Sequence, residues 1–416
     1  MTLRYELTEN TSDRKGAYHL RTKRGRPSVS RKIIIAAAAM GASATAAYAG
    51  GIERSSLSTG ILFEEGNYVE FSFGSVAPDV SGVQVGTFDT TPAGGTTVVP
   101  GLGQSSGDVA SDYTLLSFGY KNDLTDKLDL AIIVDQPIGA NVNYAAATAI
   151  PPYVYNAGTG SQADVESLGL TALLRYQLQN NVSVYGGLRA IRTKGEVSLF
   201  TSYTMNTTTE TDFGYVVGAA WEKPEIAARV ALTYQSAITH DFTATEAFPA
   251  VPIPTSTTQF SSTIPQSVTL EFQTGVAADT LLFGSVKWTD WSEFDISPTI
   301  FGATSGGSSL VDYDDDVITY NLGLGRRFSD EWSGAILLGH EKSQGGFSGN
   351  LGPTDGFTSV GLAVTRTIDN VEVTLGGRYV WIGDAETENG TNPGNALGDF
   401  DDNSGVALGL RVGYSF

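Results

Sequence analysis

The residues with the most chemistry to offer in this 416-residue chain are basic. Arg175, Arg189, Arg229, Lys287, Arg327, Arg378 and Arg411 each alternate with apolar neighbours, so each faces away from an apolar surface. A guanidinium holds a carboxylate through two parallel hydrogen bonds. Arg189, Lys287, Arg175, Arg229 and Arg378 are therefore candidates to receive an acidic headgroup. Arg189 and Lys287, nearest the long-loop end, are the better placed. The competing use of these side chains is structural pairing with inward acids such as Glu271 and Glu372. After residue 49 the chain has two histidines, His240 and His340. Ser236, His240 and Asp241 bring a hydroxyl, an imidazole and a carboxylate into one corner. Catalytic triads are assembled in space and rarely from adjacent positions, so an enzyme is not expected. There is no cysteine, hence no disulfide, thiol nucleophile or thiolate metal site. Acidic clusters at Asp312/Asp314/Asp315/Asp316, Asp384/Glu386/Glu388 and Asp399/Asp401/Asp402 offer oxygen ligands of the kind calcium takes. None has EF-hand spacing, and they read as solvated loop charges. No metal site, cofactor or energy-coupling motif is expected.

The elements that must position these residues are strands. From Ser404 to Phe416 the chain reads SGVALGLRVGYSF, with Val406, Leu408, Leu410, Val412, Tyr414 and Phe416 on one face. Strict period-two alternation makes a strand with one apolar and one polar face. A soluble sandwich can end this way, but an apolar-faced strand with a terminal Phe suits the closing strand of an outer-membrane barrel. Similar segments lie near 67–76, 112–121, 126–135, 164–178, 181–197, 211–222, 226–237, 265–276, 280–289, 316–328, 331–341, 357–367, 370–382 and 404–416. The connections alternate between tight turns, such as Gln179–Asn181 and Ala277–Asp279, and long segments at 77–111, 136–163, 198–210, 238–264, 290–315, 342–356 and 383–403. Short turns on one side and long loops on the other are the outer-membrane pattern. The fold class expected is all-β: a transmembrane antiparallel β-barrel of about 14 strands with short periplasmic turns and long extracellular loops. Tyr68, Tyr113, Tyr120, Trp221, Tyr234, Trp288, Trp291, Trp332, Tyr379, Trp381 and Tyr414 fall near strand ends, where interfacial aromatic girdles belong.

The ends and the charge agree. Arg31-Lys32, the apolar run Ile33–Ala39 and Ala47-Tyr48-Ala49 have the order of a signal peptide, so residues 1–49 are expected to be a leader with an extended basic lead-in. Residues 50–66 then form a short N-terminal segment, and 67–416 the barrel. The formal net charge of -20 argues against nucleic acid as a partner. A membrane protein without a spanning helix must close its backbone hydrogen bonds in a barrel. The location expected is the outer membrane of a Gram-negative bacterium. Its lipid and lipopolysaccharide are then partners, as is the barrel-assembly machinery through the strand ending at Phe416.

Two stretches go beyond architecture. Ile264–Phe294 reads IPQSVTLEFQTGVAADTLLFGSVKWTDWSEF, a proline-led strand, a tight turn and a strand ending in W-T-D-W-S-x-F. Ala231–Phe242 reads ALTYQSAITHDF. Through Pro265, Trp288, Trp291, Phe294 and His240 these segments resemble the FadL family of outer-membrane transporters for long-chain fatty acids and other hydrophobic compounds. The resemblance implies a fourteen-stranded barrel and a channel for gated, passive uptake of such molecules. It also implies an N-terminal hatch of several dozen residues with an Asn-Pro-Ala element. Here only Gly50–Gly66 (GGIERSSLSTGILFEEG) precedes the first strand, and it has no such element. A shortened or rebuilt plug is expected. Val98, Val99, Ile150, Tyr153, Val154, Tyr155, Phe248, Val251, Ile253 and Phe260 dot the long loops. They either capture an apolar ligand or pack the loops together. The alternative function is a general hydrophilic diffusion porin, which uses the same girdles and turns.

Overall fold

The computed structural model describes residues 52–89, 98–99, 101–147, 151–251 and 253–416. The expected leader, Gly50, Gly51 and Ile150 lie outside the described residues. Fourteen strands close into an antiparallel barrel: β1 Tyr68–Asp79, β2 Tyr113–Asp123, β3 Leu128–Asp135, β4 Gly160–Gln177, β5 Val182–Ser198, β6 Glu210–Lys223, β7 Ala228–Gln235, β8 Ser267–Ala277, β9 Thr280–Thr289, β10 Val317–Arg327, β11 Trp332–Glu341, β12 Phe357–Ile368, β13 Val371–Ile382 and β14 Ser404–Ser415. Consecutive strands pair, and β1 pairs with both β2 and β14, so the sheet has no edge.

Burial is inside out relative to a soluble protein. Along β12 the enclosed positions are Ser359, Gly361, Ala363 and Thr365, while Val360, Leu362 and Val364 are exposed. Leu362 is 62% exposed and Phe213 71%. An apolar band of this extent, repeated on most strands, is the surface that meets lipid. Most of the expected girdle residues point outward, among them Trp221, Trp332, Tyr379, Trp381 and Tyr414. Tyr68, Tyr113 and Trp291 are corrections: Tyr68 and Trp291 are about 2% exposed and face inward, and Tyr113 lies opposite the inward Val76 with its ring under the Arg54 guanidinium. Tyr68 takes an inward phase on β1, where Arg411 donates to its hydroxyl at 2.8 Å. Trp291 lies on the 3-10 turn Trp291–Glu293, past the end of β9, where strand phase no longer governs direction.

The tight turns have the chemistry they need. Asn180 and Asn181 both take positive φ, as a type I′ turn requires. Asp279 and Asp369 do the same at φ 55° and 52° between β8–β9 and β12–β13.

The long connections are more ordered than the sequence suggests. Residues 136–163 contain a strand, Gly139–Ala145, that pairs with the upper part of β4. Residues 238–264 are a hairpin, Ile238–Phe248 with Ile253–Ile264, which continues the wall above β7 and β8. Thr204–Thr207 bridges β5 to that hairpin. β4 and β5 have 18 and 17 residues, well beyond the roughly 9–11 that cross a bilayer. A small sheet of Val83–Gln84, Ala396–Phe400, Ala385–Glu388 and Phe347–Ser348 caps the other side.

A substitution on the outer face at mid-strand tests the orientation. Leu362→Arg is expected to destabilise the barrel by about 2–4 kcal/mol in a phospholipid bilayer, the midplane cost of a cation. Thr365→Val, on the inner face, should cost far less. Urea titration of folding into liposomes reads both, and equal costs would refute the assigned faces.

Candidate functional site

The segment Ile52–Gly66 runs inside the barrel. Its short 3-10 turn, Gly60–Phe63, buries Ile61, Leu62 and Phe63. With Leu57 they pack on Ala131 and Ile133 of β3, Leu173 of β4, Tyr185 of β5, Val216 and Ala220 of β6 and Ala231 of β7. The guanidinium groups of Arg175 and Arg229 each lie 4.3 Å from the Phe63 ring centre. These apolar groups give the segment a reason to leave water, and its backbone carbonyls are then met by cations. Arg175 donates to the Leu62 carbonyl at 2.9 Å. Lys121 donates to the carbonyls of Glu64 and Gly66 at 3.0 and 2.8 Å. Thr59 donates to Glu271 at 2.9 Å, and Glu53 forms an ion pair with Lys287.

Glu64 is the carboxyl of this segment whose titration the fold shifts. Burial pushes its carboxyl up to about 8 from the ordinary 4.5; Arg411 opposes the shift, and Glu70 and Glu372 add to it. Burial prevails because Arg411 is already taken. It donates to Glu70 at 2.6 and 2.9 Å and to Tyr68 at 2.8 Å, leaving Glu64 at 3.7 Å.

Most of the candidate basic residues have protein partners. Arg175 donates to Ser183 at 3.0 Å and pairs with Glu222. Arg189 donates to both oxygens of Asp135 at 2.9 and 3.2 Å and to Thr171 at 2.7 Å. Lys287 is held by Glu53, and Arg229 stacks on Phe63. Arg327 pairs with Asp279 at a turn. The acids in these pairs are Asp135, Glu222, Glu53, Asp279 and Glu70, and Glu271, one of the acids the sequence pointed to, lies by Arg229 and accepts from Thr59. Strand phase shows which residues point inward but not which of them meet across the lumen. Arg378 stands apart, with no hydrogen-bond partner for any of its three nitrogens among the described residues.

The wall is interrupted at Gln136-Pro137-Ile138. The β2–β3 ladder ends at the pair Phe118 and Val134, and the Gln136 side chain accepts the Leu116 N–H at 2.8 Å instead. Pro137 cannot donate to a ladder. The N-terminal segment braces this break. Arg54 donates its N–H to the Pro137 carbonyl at 2.9 Å, and Gly139 donates to that of Ile52 at 2.8 Å. The Arg54 guanidinium lies 3.5 Å from the Tyr113 ring centre. A cleft of about 400 Å³ opens here between Arg54, Tyr113, Gln136, Asn141, Glu166 and Arg192.

The residues of the family-like segments have structural settings. His240, 1% exposed, points Nδ1 at Asp212 (2.7 Å) and Nε2 at Thr193 (3.2 Å). Ser236 accepts the Tyr215 N–H, and Asp241 accepts from Ser261. The three groups turn apart, so they do not form a triad. Pro265 is buried just before β8, and Trp288 donates to Asp316 at 3.1 Å. Trp291, Phe294 and Tyr313 form a ring cluster with centres 5.4–5.7 Å apart. Among the loop residues, Tyr153 and Val154 are buried in the cap with Tyr155 against them, and Phe248, Ile253 and Phe260 pack on a second cluster. Among the described residues no group of three acidic or histidine side chains is placed to hold a metal ion.

No curated protein matches the chain. Solved structures do. A FadL homologue from Pseudomonas aeruginosa superposes with a TM-score of 0.66 at 13% identity, over 86% of this chain and 92% of that one. The toluene transporter TodX of Pseudomonas putida gives 0.58 at 10% identity, over 89% and 98%. The toluene transporter TbuX of Ralstonia pickettii gives 0.54 at 12% identity, over 86% and 91%. At such identities the likeness speaks for the fold. The family described as outer membrane protein transport protein (OMPP1/FadL/TodX) matches residues 87–333, more than half of the chain. On that match and the closed fourteen-stranded barrel, the chain belongs to this family of outer-membrane transport proteins.

Proposed function

We propose that this protein is an outer-membrane channel for gated, passive uptake of long-chain fatty acids or other hydrophobic small molecules. The observation that carries the reading is the apolar plug in the lumen, Leu57, Ile61, Leu62 and Phe63, packed on the inner faces of β3 to β7. A hydrophilic diffusion porin needs a polar, water-filled lumen, which this plug occupies. The relatives described as toluene transporters carry apolar cargo, in keeping with this reading.

In this reading residues 1–49 direct export, 50–66 act as a reduced plug, and the closing strand serves recognition by the assembly machinery. Divalent cations and lipopolysaccharide meet the acidic loops outside. Cargo reaches the lumen from the aromatic-lined cap. Burying an acyl chain contributes about 0.8 kcal/mol per CH₂, so capture is easy and release is the step that needs a moving part. The plug is that part. It holds the break that follows β3 through Pro137 and Gly139, and it is itself held by Lys287, Arg175 and Lys121. Arg189, Lys287, Arg175 and Arg229 are mainly structural in the closed state, and cargo reaches them only when the plug shifts.

Cells producing the protein should take up radiolabelled oleate faster than cells lacking it, with no change in arabinose flux. A gain in arabinose flux alone would establish the porin instead. Because the chain has no cysteine, the plug can be tethered cleanly. Glu53→Cys with Lys287→Cys, bridged by a short bifunctional thiol reagent, should cut oleate uptake at least five-fold, reversibly on cleavage of the bridge. Unchanged uptake would show that the plug does not move. The plug should also respond to pH. Glu64 binds its proton more tightly in the folded state, so the stability its neutral form contributes is complete below about 4.5 and is lost as pH rises through about 8. Hydrogen exchange of residues 60–66, corrected for intrinsic rates, should therefore be faster at pH 9 than at pH 5. Glu64→Gln should abolish the difference, and a difference that persists in that variant would remove Glu64 from the account.

A further inference from the structure

The connection between β9 and β10, residues 290–316, is built as a stem and an excursion. At the stem, Asp295–Ile296 pairs with Val311–Asp312, and the Leu310 N–H donates to the Ile296 carbonyl at 2.8 Å. Residues 297–310 stand beyond it and carry the short helix Thr299–Thr304. Six residues are too few to hold a helix in water on their own. A single carboxylate from the neighbouring hairpin holds this one. Glu246 is fully buried. It accepts the Ile300 N–H at 3.0 and 3.2 Å and the Phe301 N–H at 3.1 Å, at the helix end where an anion is favoured. Tyr203 donates to the same carboxylate at 2.7 Å, and Thr258 donates to it as well. Beside them the Thr299 hydroxyl donates to the Gln259 carbonyl at 3.0 Å. Under the helix, Ile300 and Leu310 pack on Leu199, Tyr203, Met205, Ala244 and Leu351, and the Phe301 ring lies 5.3 Å from that of Tyr203. The helix thus covers an apolar cluster drawn from three of the long connections. Its ends are marked by Pro298 and by Gly306-Gly307, whose φ angles of 78° and 98° suit glycine alone. Nothing stands within 4 Å of where a side chain would begin at either glycine.

The stem also reaches the plug. Trp291 and Phe294, from the W-T-D-W-S-x-F segment, form one buried cluster with Ile52 of the plug, Ile138, Ala140 and Val317. Ile296 and Val311, opposite each other in the stem, pack against that cluster with Tyr313. We propose that residues 297–310 are an extracellular lid latched by Glu246, and that opening the lid uncovers the apolar cluster beneath it and loosens the upper seat of the plug. The inference rests on the channel function proposed above and gives that channel an outer door coupled to its plug. Both backbone bonds of the helix end on one carboxylate, so a single movement releases them together. An apolar molecule that settles on Tyr203 and Met205 replaces the contacts of Ile300 and Phe301 with contacts of the same kind, so exchange of one for the other costs little apolar burial. The link to the plug is close packing. Ile52 shares its neighbours with Ile296 and Val311, and a displaced stem leaves Ile52 with contacts missing on one side.

The first test is hydrogen exchange of the purified full-length protein in nanodiscs, wild type against Glu246→Gln. The variant should exchange at least five-fold faster in residues 299–304 and at least two-fold faster in residues 52–57. Residues 357–367 of β12 should be unchanged, which shows the barrel is folded. An unaltered helix would sink the latch, and a faster helix with an unaltered plug would sink the coupling. The second test leaves Glu246 in place. Gln259→Cys with Thr299→Cys, bridged by a cleavable bifunctional thiol reagent, should cut oleate uptake by cells at least five-fold, with recovery on cleavage. Heat-modifiable electrophoretic mobility will show that this barrel is folded too. Uptake that ignores the tether would sink the lid and leave the channel. A wild type that moves neither oleate nor toluene, yet exchanges as expected on Glu246→Gln, would sink the channel and leave the latched loop coupled to the plug.

Discussion

Closure of the barrel is the constraint on which the rest depends. In a bilayer an open strand edge leaves N–H and C=O groups with neither water nor partner. β1 meets this demand by pairing along its length with β14, from Tyr68 opposite Ser415 to Asp79 opposite Ser404. Once that seam is set, every strand has one face in lipid and one in the lumen, and the period-two pattern assigns each side chain to one or the other. The lipid face accepts only apolar residues. All charge carried by the strands is therefore forced into the lumen or out to the ends. The dense set of inward ion pairs, Arg175–Glu222, Arg189–Asp135 and Arg411–Glu70, follows from this.

Fourteen strands enclose more space than their own side chains fill. The N-terminal segment takes up part of it, off centre, against β3 to β7. It is held in two ways. Its apolar side chains fill the inner face, and strand cations grip its backbone carbonyls at Leu62, Glu64 and Gly66. Backbone carbonyls carry no titrating group of their own, so what a change of pH alters here is the Glu64 carboxyl beside them. The Glu53–Lys287 pair at the other end is a contact between two charges, and a competing anion can break it. The plug is thus pinned firmly next to β1 and loosely at its upper end.

What was legible in the sequence followed from local pattern. The alternation in β4, β5, β12 and β14 located the strands, and Asn180-Asn181 located a tight turn whose φ angles confirm it. The hairpin at 238–264 escapes the strand pattern because its inward positions mix His240, Phe242, Ala244 and Glu246. No clean apolar face remains there once the chain rises above the lipid. Strand phase extended past the end of β9 points Trp291 outward, but the 3-10 turn there breaks the phase. The inward direction of the arginines was readable from phase, but their partners were not. Asp135 and Arg189 are 54 residues apart, and only closure of the sheet sets them opposite each other.

The contrast between the two halves of the lumen carries the functional argument furthest. On the plug side the polar groups of the wall are largely matched, and the apolar groups are covered. On the β8 to β13 side Arg378, Ser359 and Asn321 keep unmatched atoms around Gly339, which leaves space open between them. Arg175, Arg189 and Arg411 each meet a carboxylate, whereas Arg378 has no hydrogen-bond partner among the described residues. A buried guanidinium without a partner is costly, so the two sides of the lumen differ in how their buried charge is satisfied: the plug side is closed on itself, and the far side is not.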